Sequence, residues 1–174
     1  METKGAGDIM IPLDEYPHIP YWFSLRQTIA ELDNTVLEID GRQSLPRVVL
    51  VFDEKYQLMG VARRRDILRG LEPEFLTTKS LEVRKEMFDI QVDPNLSELS
   101  YDKLLKDIKI QAERPVSHVM QPILSTVDFE DHIIKVIYEM VEHNLSLLPV
   151  MKENKVLGVV RSEDLIHEVA RILL

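Results

Sequence analysis

Apolar and polar positions along this chain follow one sequence of periods, and they follow it twice. In the second half, Ile133, Ile134, Val136, Ile137, Met140 and Val141 recur at the helical period and predict a helix laid on a sheet. Asp128 is placed to cap that helix and His143-Asn144 to end it. Residues 123–127 read as a short strand before it, and 146–151 as a buried strand after it. The polar turn Lys152-Glu153-Asn154-Lys155 then joins 146–151 to a partner strand at 156–160, which predicts a hairpin. Ser162 can cap a closing helix whose apolar positions are Leu165, Ile166, Val169, Ala170, Ile172 and Leu173. The predicted order is strand, helix, strand, strand, helix.

The first half repeats that order. Ser24-x-x-Gln27 is a capping box that opens a helix carrying Leu25, Ile29 and Leu32. Residues 47–52 and 58–62 predict a hairpin with Asp53-Glu54-Lys55 in its turn, and Asp66 to Leu71 starts the closing helix. The residues themselves recur too. Asp8-Ile9-Met10-Ile11-Pro12 is matched by His118-Val119-Met120-Gln121-Pro122, and Leu45-Pro46 by Leu148-Pro149. Gly60-Val61-Ala62-Arg63-Arg64-Arg65-Asp66 is matched by Gly158-Val159-Val160-Arg161-Ser162-Glu163-Asp164. An internal repeat of this kind predicts two similar units that bury a shared face. The first copy is longer around Asn34 to Ser44, including the Asp40-Gly41 turn, and in its hairpin; both are loop positions, where insertions are tolerated. The units are placed at 7–71 and 114–174. Between them, 72–113 has helical spacing from Ser97 to Gln111 and reads as an added helical segment, too long for a simple connector.

Composition narrows the function. The net charge of −9 argues against a nucleic-acid partner, because phosphate neutralisation needs surplus Lys and Arg. The absence of Cys removes disulfides, thiolate metal sites and cysteine nucleophiles. The five His have no ligand spacing, so no metal is expected. No run approaches the ~20 apolar residues of a membrane helix, and Met1-Glu2-Thr3-Lys4-Gly5 is no secretory signal, so a cytoplasmic location without a membrane partner is expected. Ser117 and His118 could be paired with Asp164 as a nucleophile, but the chain has neither a Gly-rich oxyanion turn nor a nucleophile elbow. The expectation is a protein that is not an enzyme and requires no cofactor. Trp22 with Tyr21 and Phe23 is read as core or as a dimer contact. Arg63-Arg64-Arg65, at a strand-to-helix turn, either meets a phosphate at the helix N-terminus or is a solvated basic face paired with carboxylates.

Together, Val119-Met120-x-Pro122, an amphipathic helix, Leu148-Pro149-Val150, a turn and Gly158-Val159-Val160-x-x-x-Asp164-Leu165 resemble the cystathionine-β-synthase (CBS) domain. The two copies resemble a CBS pair, or Bateman module, in a stand-alone CBS-domain protein. The resemblance implies an α/β fold of two β-α-β-β-α repeats packed through their sheets about a pseudo-two-fold axis. It implies a regulatory module that binds AMP, ADP, ATP or S-adenosylmethionine in the clefts between sheets, as a homodimer that controls a separate effector protein. It also implies that Asp66 and Asp164 hold the ribose hydroxyls, since a carboxylate accepts two hydrogen bonds from a vicinal diol. Residues around Pro46, Leu147 and Pro149 would line the adenine slot. Where the family has Thr or Ser, this chain has Arg63 and Arg161, with Ser162 displaced by one position. These arginines either grip a phosphate bidentately or fill the space of the nucleoside. If they fill it, the alternative is a ligand-free interaction or dimerisation scaffold.

Overall fold

The computed structural model describes residues 4–73 and 94–174, with 94–100 described in backbone only. In chain order the elements are α1 (Ala6–Ile9), β1 (Ile11–Pro12), β2 (His18–Pro20), α2 (Leu25–Asn34), β3 (Leu37–Ile39), β4 (Arg42–Ser44), β5 (Val48–Phe52), β6 (Leu58–Arg63), α3 (Arg64–Leu71), α4 (Pro94–Gln111), β7 (Gln121–Pro122), β8 (Val127–Asp128), α5 (Ile133–Glu142), β9 (Leu147–Lys152), β10 (Lys155–Arg161) and α6 (Ser162–Leu173).

Two four-stranded sheets result, in the orders β1-β10-β9-β8 and β2-β5-β6-β7. Each therefore draws an edge strand from the opposite half of the chain. Ile11 and Pro12 pair with Val159 and Gly158, while Gln121 and Pro122 pair with Val61 and Gly60. The two Met-x-Pro segments are thus exchanged between the repeats. The exchange explains the glycine of each Gly-Val pair, because a Cβ on Gly158 would strike the Ile11 carbonyl oxygen and one on Gly60 the Gln121 carbonyl oxygen. The N-terminal arm is fixed to the second repeat as well: the Ala6 and Gly7 amides donate to the Asp131 and Phe129 carbonyls at 2.8 and 3.0 Å.

Both faces of each sheet are covered, so the central strands are continuous apolar runs rather than alternating ones. Val49, Val51 and Ala62 pack with Leu25, Leu32 and Ile67 on the helices of the first repeat. Leu148, Val150 and Val160 pack with Ile133, Val136, Met140 and Leu165 on those of the second. The opposite faces meet each other: Val48, Leu50 and Phe52 form one cluster with Leu147, Val159, Ile11, Tyr16 and Leu37. The result is helices, sheet, sheet, helices. Leu25, Leu50 and Leu148 are fully buried, and each such side chain contributes roughly 1.5–3 kcal/mol.

Several local expectations are corrected. The two Leu-Pro pairs are not counterparts: Val48 lies opposite Arg63 and Leu147 opposite Arg161, so Val48 matches Leu147 and Pro149 matches Leu50. Pro46 precedes its strand, whereas Pro149 lies within β9. The strand expected at 123–127 is instead two short strands, β7 and β8. Asp128 does not cap α5, because its carboxylate accepts the Glu130 amide in a tight turn; the cap is His132, whose Nδ1 accepts the Ile134 amide at 3.2 Å. On α5, Ile133, Val136 and Met140 are buried, whereas Ile134 and Val141 are 68% and 76% exposed. Arg161, not Ser162, is the N-cap of α6.

Other features match the sequence reading. The Ser24–Gln27 capping box forms in both directions, and Asn144 ends α5 with a φ of 51°. Tyr21 and Phe23 pack on the core as expected, whereas Trp22 does not and is 55% exposed. The extra residues of the first repeat are a hairpin, β3–β4, turning through Asp40 and Gly41 at φ 50° and 76°. α4 packs against α3; the rest of the segment expected to be helical, residues 74–93, lies outside the described residues.

Candidate functional site

Each β-hairpin of the two main sheets delivers an arginine to the start of a helix, and each arginine grips the aspartate three residues on. In the first repeat, Arg63 Nε and Nη2 donate to Asp66 Oδ2 and Oδ1 at 2.8 and 2.9 Å. The Arg63 amide donates to Oδ2 at 3.0 Å, closing the helix N-terminus. Gln121 Nε2, arriving on the exchanged strand β7, donates to Oδ1 at 3.3 Å. A carboxylate has about four lone-pair sites. All four are taken, and the side chain of Asp66 is fully buried. Burial pushes its carboxyl up, but the Arg63 guanidinium and amide outweigh that and hold it below the usual carboxylate range.

The three consecutive arginines do not form one anion site. Arg63 is spent on Asp66. Arg64 Nη2 turns back to the Pro46 carbonyl at 3.1 Å and borders a groove of about 410 Å³ between α2 and α3, lined mainly by Ile29, Leu32, Leu45, Ile67 and Leu68. Arg65 is exposed.

The second repeat differs in three ways. Here the arginine is buried: Arg161 is 7% exposed in its side chain. Its Nε and Nη2 hold Asp164 Oδ2 and Oδ1 at 2.7 and 2.8 Å, while Nη1 donates to Ser44 Oγ at 3.0 Å and reaches Glu163 Oε1 at 2.8 Å. Asp164 is 13% exposed and receives only the two Arg161 bonds among the described residues, so two acceptor sites remain. Beside this cluster lies a cavity of about 110 Å³ between the sheets, lined by Tyr16, Arg47, Val48, Ser146, Leu147, Arg161, Ser162 and Glu163.

Arg47 stands exposed at that cavity, its carbonyl accepting the Arg64 amide and its side chain without a hydrogen bond or ion pair among the described residues. The Tyr16 hydroxyl donates to the Val48 carbonyl at 2.6 Å; burial holds its phenol well above the ordinary range, so it stays a neutral donor. The structure therefore brings Leu147, Arg161 and Ser162 together and puts Asp164 behind Arg161. Pro46, Arg63, Arg64, Arg65 and Asp66 lie elsewhere, and Pro149 does not line the cavity. Sequence reasoning missed Tyr16, Ser44, Arg47, Gln121 and Glu163. Arg47 left one trace, a cation directly before a buried strand; Ser44 lies in the β3–β4 hairpin, which has no counterpart in the second repeat.

No group of three or more His, Asp or Glu side chains able to hold a metal occurs among the described residues. No helix there is long and apolar enough to cross a membrane.

Comparison with curated protein sequences gives no match. The sequence model of the CBS domain matches residues 116–171. Similar solved structures include CBSX2 in complex with AMP, 16% identical, covering 98% of this chain and 98% of that one at a TM-score of 0.62. A CBS domain-containing protein of unknown function from Kribbella flavida is 16% identical over 96% of this chain and 98% of that one, with a TM-score of 0.66. The cytosolic domain of the Mg2+ channel MgtE in complex with ATP is 17% identical over 96% of this chain and 49% of that one, with a TM-score of 0.59. The match to the CBS-domain model thus covers residues 116–171, and the chain as a whole has the fold of a CBS-domain pair.

Proposed function

We propose that this chain is a regulatory module that senses an adenosine-containing ligand through its second cleft. One observation carries this reading: Asp164 keeps two acceptor sites behind Arg161, which lines a polar cavity, whereas Asp66 is buried with all four of its sites filled. A ribose diol needs two free acceptor positions on one carboxylate. Arg47 and the Ser162 hydroxyl supply donors for a phosphate at the same cavity. Similarity of fold to structures holding AMP and ATP supports the ligand class.

The cavity of about 110 Å³ is smaller than the ~300 Å³ or more of ordinary small-molecule pockets, so binding requires the cleft to open. That requirement supplies the signal. A ligand that binds only an open form shifts the population toward it. The effector would be a separate protein. Exposed Ile134, Tyr138 and Val141 on α5 and Ile166 on α6 support a second copy as a partner through these helices.

A second reading, the ligand-free scaffold, is favoured by the Arg63–Asp66 and Arg161–Asp164 pairs, which fill both motif positions in this form. Calorimetric titration with AMP, ADP, ATP and S-adenosylmethionine separates the two. The sensor requires binding by at least one of these, weakened about tenfold or more in Asp164→Ala, a loss of ~1.4 kcal/mol. No binding by any of the four at millimolar concentration leaves the scaffold.

A further inference from the structure

The β3–β4 hairpin pairs with neither main sheet. Isolated two-stranded hairpins are marginal in water, so its position depends on what it touches. Leu37 and Ile39 anchor one side in the cluster between the sheets. The other side lies along α6. Arg161, at its cap, and Asp164, Glu168 and Arg171 share one helix face by their spacing. Ser44, at the base of the hairpin, meets Arg161 at 3.0 Å, and Asp40, in the turn, meets Arg171 at 3.8 Å. The second contact joins two half-exposed side chains and holds little. Ser44–Arg161 is therefore the principal polar tie between hairpin and helix.

That tie ends on a side chain that lines the second cleft. Arg161 Nη1 serves Ser44 and Glu163, while Nε and Nη2 serve Asp164. Of these acceptors only Ser44 is uncharged. Hydrogen bonds to ionised acceptors are roughly twice as strong as neutral ones, so an anionic group entering the cavity displaces Ser44 before either carboxylate.

We infer that the β3–β4 hairpin is a ligand-released strap: an anionic ligand in the second cleft takes Arg161 Nη1 from Ser44, and the hairpin leaves α6. This rests on the sensing function proposed above and names the element through which the cleft would act. An effector would then read the freed hairpin, whose Arg42 and Gln43 already face solvent.

Amide hydrogen exchange over residues 37–44 of the full chain tests it, with ATP binding measured separately by calorimetry. Ser44→Ala without nucleotide raises hairpin exchange roughly tenfold, as expected for loss of one hydrogen bond to a charged group. Saturating ATP raises wild-type exchange by a similar factor and adds nothing in Ser44→Ala. Unchanged exchange in Ser44→Ala overturns the strap whatever the nucleotide does. ATP that binds calorimetrically but leaves the hairpin unchanged overturns the strap and leaves the sensor standing. Absence of binding by all four nucleotides removes both.

Discussion

Replacing Asp66 and Asp164 by Ala in turn should cost similar stability but should cost ligand binding in only one, although the two residues occupy the same motif position. Asp66→Ala removes the acceptor for the Arg63 amide, the Arg63 guanidinium and Gln121. The Arg63 side chain is 45% exposed and regains water, which keeps the loss below the ~3–5 kcal/mol of breaking a fully buried pair. Loss of the helix cap costs about 1 kcal/mol, and the stranded Gln121 amide about 1–2 kcal/mol. The sum is about 2–3 kcal/mol. At ~2–4 °C per kcal/mol for a chain of this length, Tm falls by roughly 5–10 °C. In Asp164→Ala no backbone cap is lost and Arg161 keeps Glu163 and Ser44, but Nε and Nη2 of its buried guanidinium lose their acceptor, so the cost is again about 2–3 kcal/mol and Tm falls by roughly 5–10 °C. Affinity separates the two: Asp164→Ala weakens nucleotide binding about tenfold, while Asp66→Ala, assayed well below its Tm, keeps it. Differential scanning calorimetry and titration on the same samples read both quantities. Affinity lost equally in both variants, or only in Asp66→Ala, would refute the division of labour drawn from the acceptor counts.

Three further outcomes follow from the geometry. Gly158→Ala drives a methyl into the Ile11 carbonyl and should detach β1, with urea denaturation showing a loss of about 3 kcal/mol or more; an unchanged midpoint would mean that β1 does not pair there. Because the Asp66 carboxyl lies below its unfolded value, its stabilisation is present above that unfolded value near pH ~4 and drains away as pH falls through the folded value, so Tm should fall as pH drops below about 4. Asp66→Asn should flatten that slope, and parallel profiles would exclude Asp66 as the cause. Residues 114–174 expressed alone lack β1 and α1 and should show no cooperative melt until a peptide spanning residues 4–12 is added; a sharp melt of the lone fragment would contradict the strand exchange.

The parts of this fold written in local pattern were legible in the sequence. Both main hairpins, the Ser24–Gln27 capping box, the Asn144 stop and the Asp40-Gly41 turn depend on neighbours a few residues away, and they appear where periodicity and turn chemistry place them. The strand exchange was not legible, because a two-residue strand such as Ile11–Pro12 has no period of its own and its partner lies at residue 158–159. The Leu-Pro likeness misled for a related reason: it is a resemblance of residue types, whereas register is set by which strand lies opposite Gly60 and Gly158. At α5 the sequence offers more apolar positions than one sheet can cover, so Ile134 and Val141 remain outside. The candidate site was half visible. Arg161, Ser162 and Leu147 belong to the repeat, but Tyr16, Arg47 and Ser44 come from the other half and become neighbours only when the sheets meet.

The exchanged edge strands set a schedule for the chain as it is made. At ~5–20 residues per second, roughly seven to thirty seconds separate the synthesis of residues 11 and 12 from that of residues 158 and 159, against which they pair. Throughout that interval the N-terminal arm has no site to occupy, and the β5–β6 hairpin waits with Gly60 uncovered until Gln121 and Pro122 arrive. An early half-chain on the ribosome is thus an open sheet edge beside an apolar face, the state most exposed to aggregation and most in need of a chaperone.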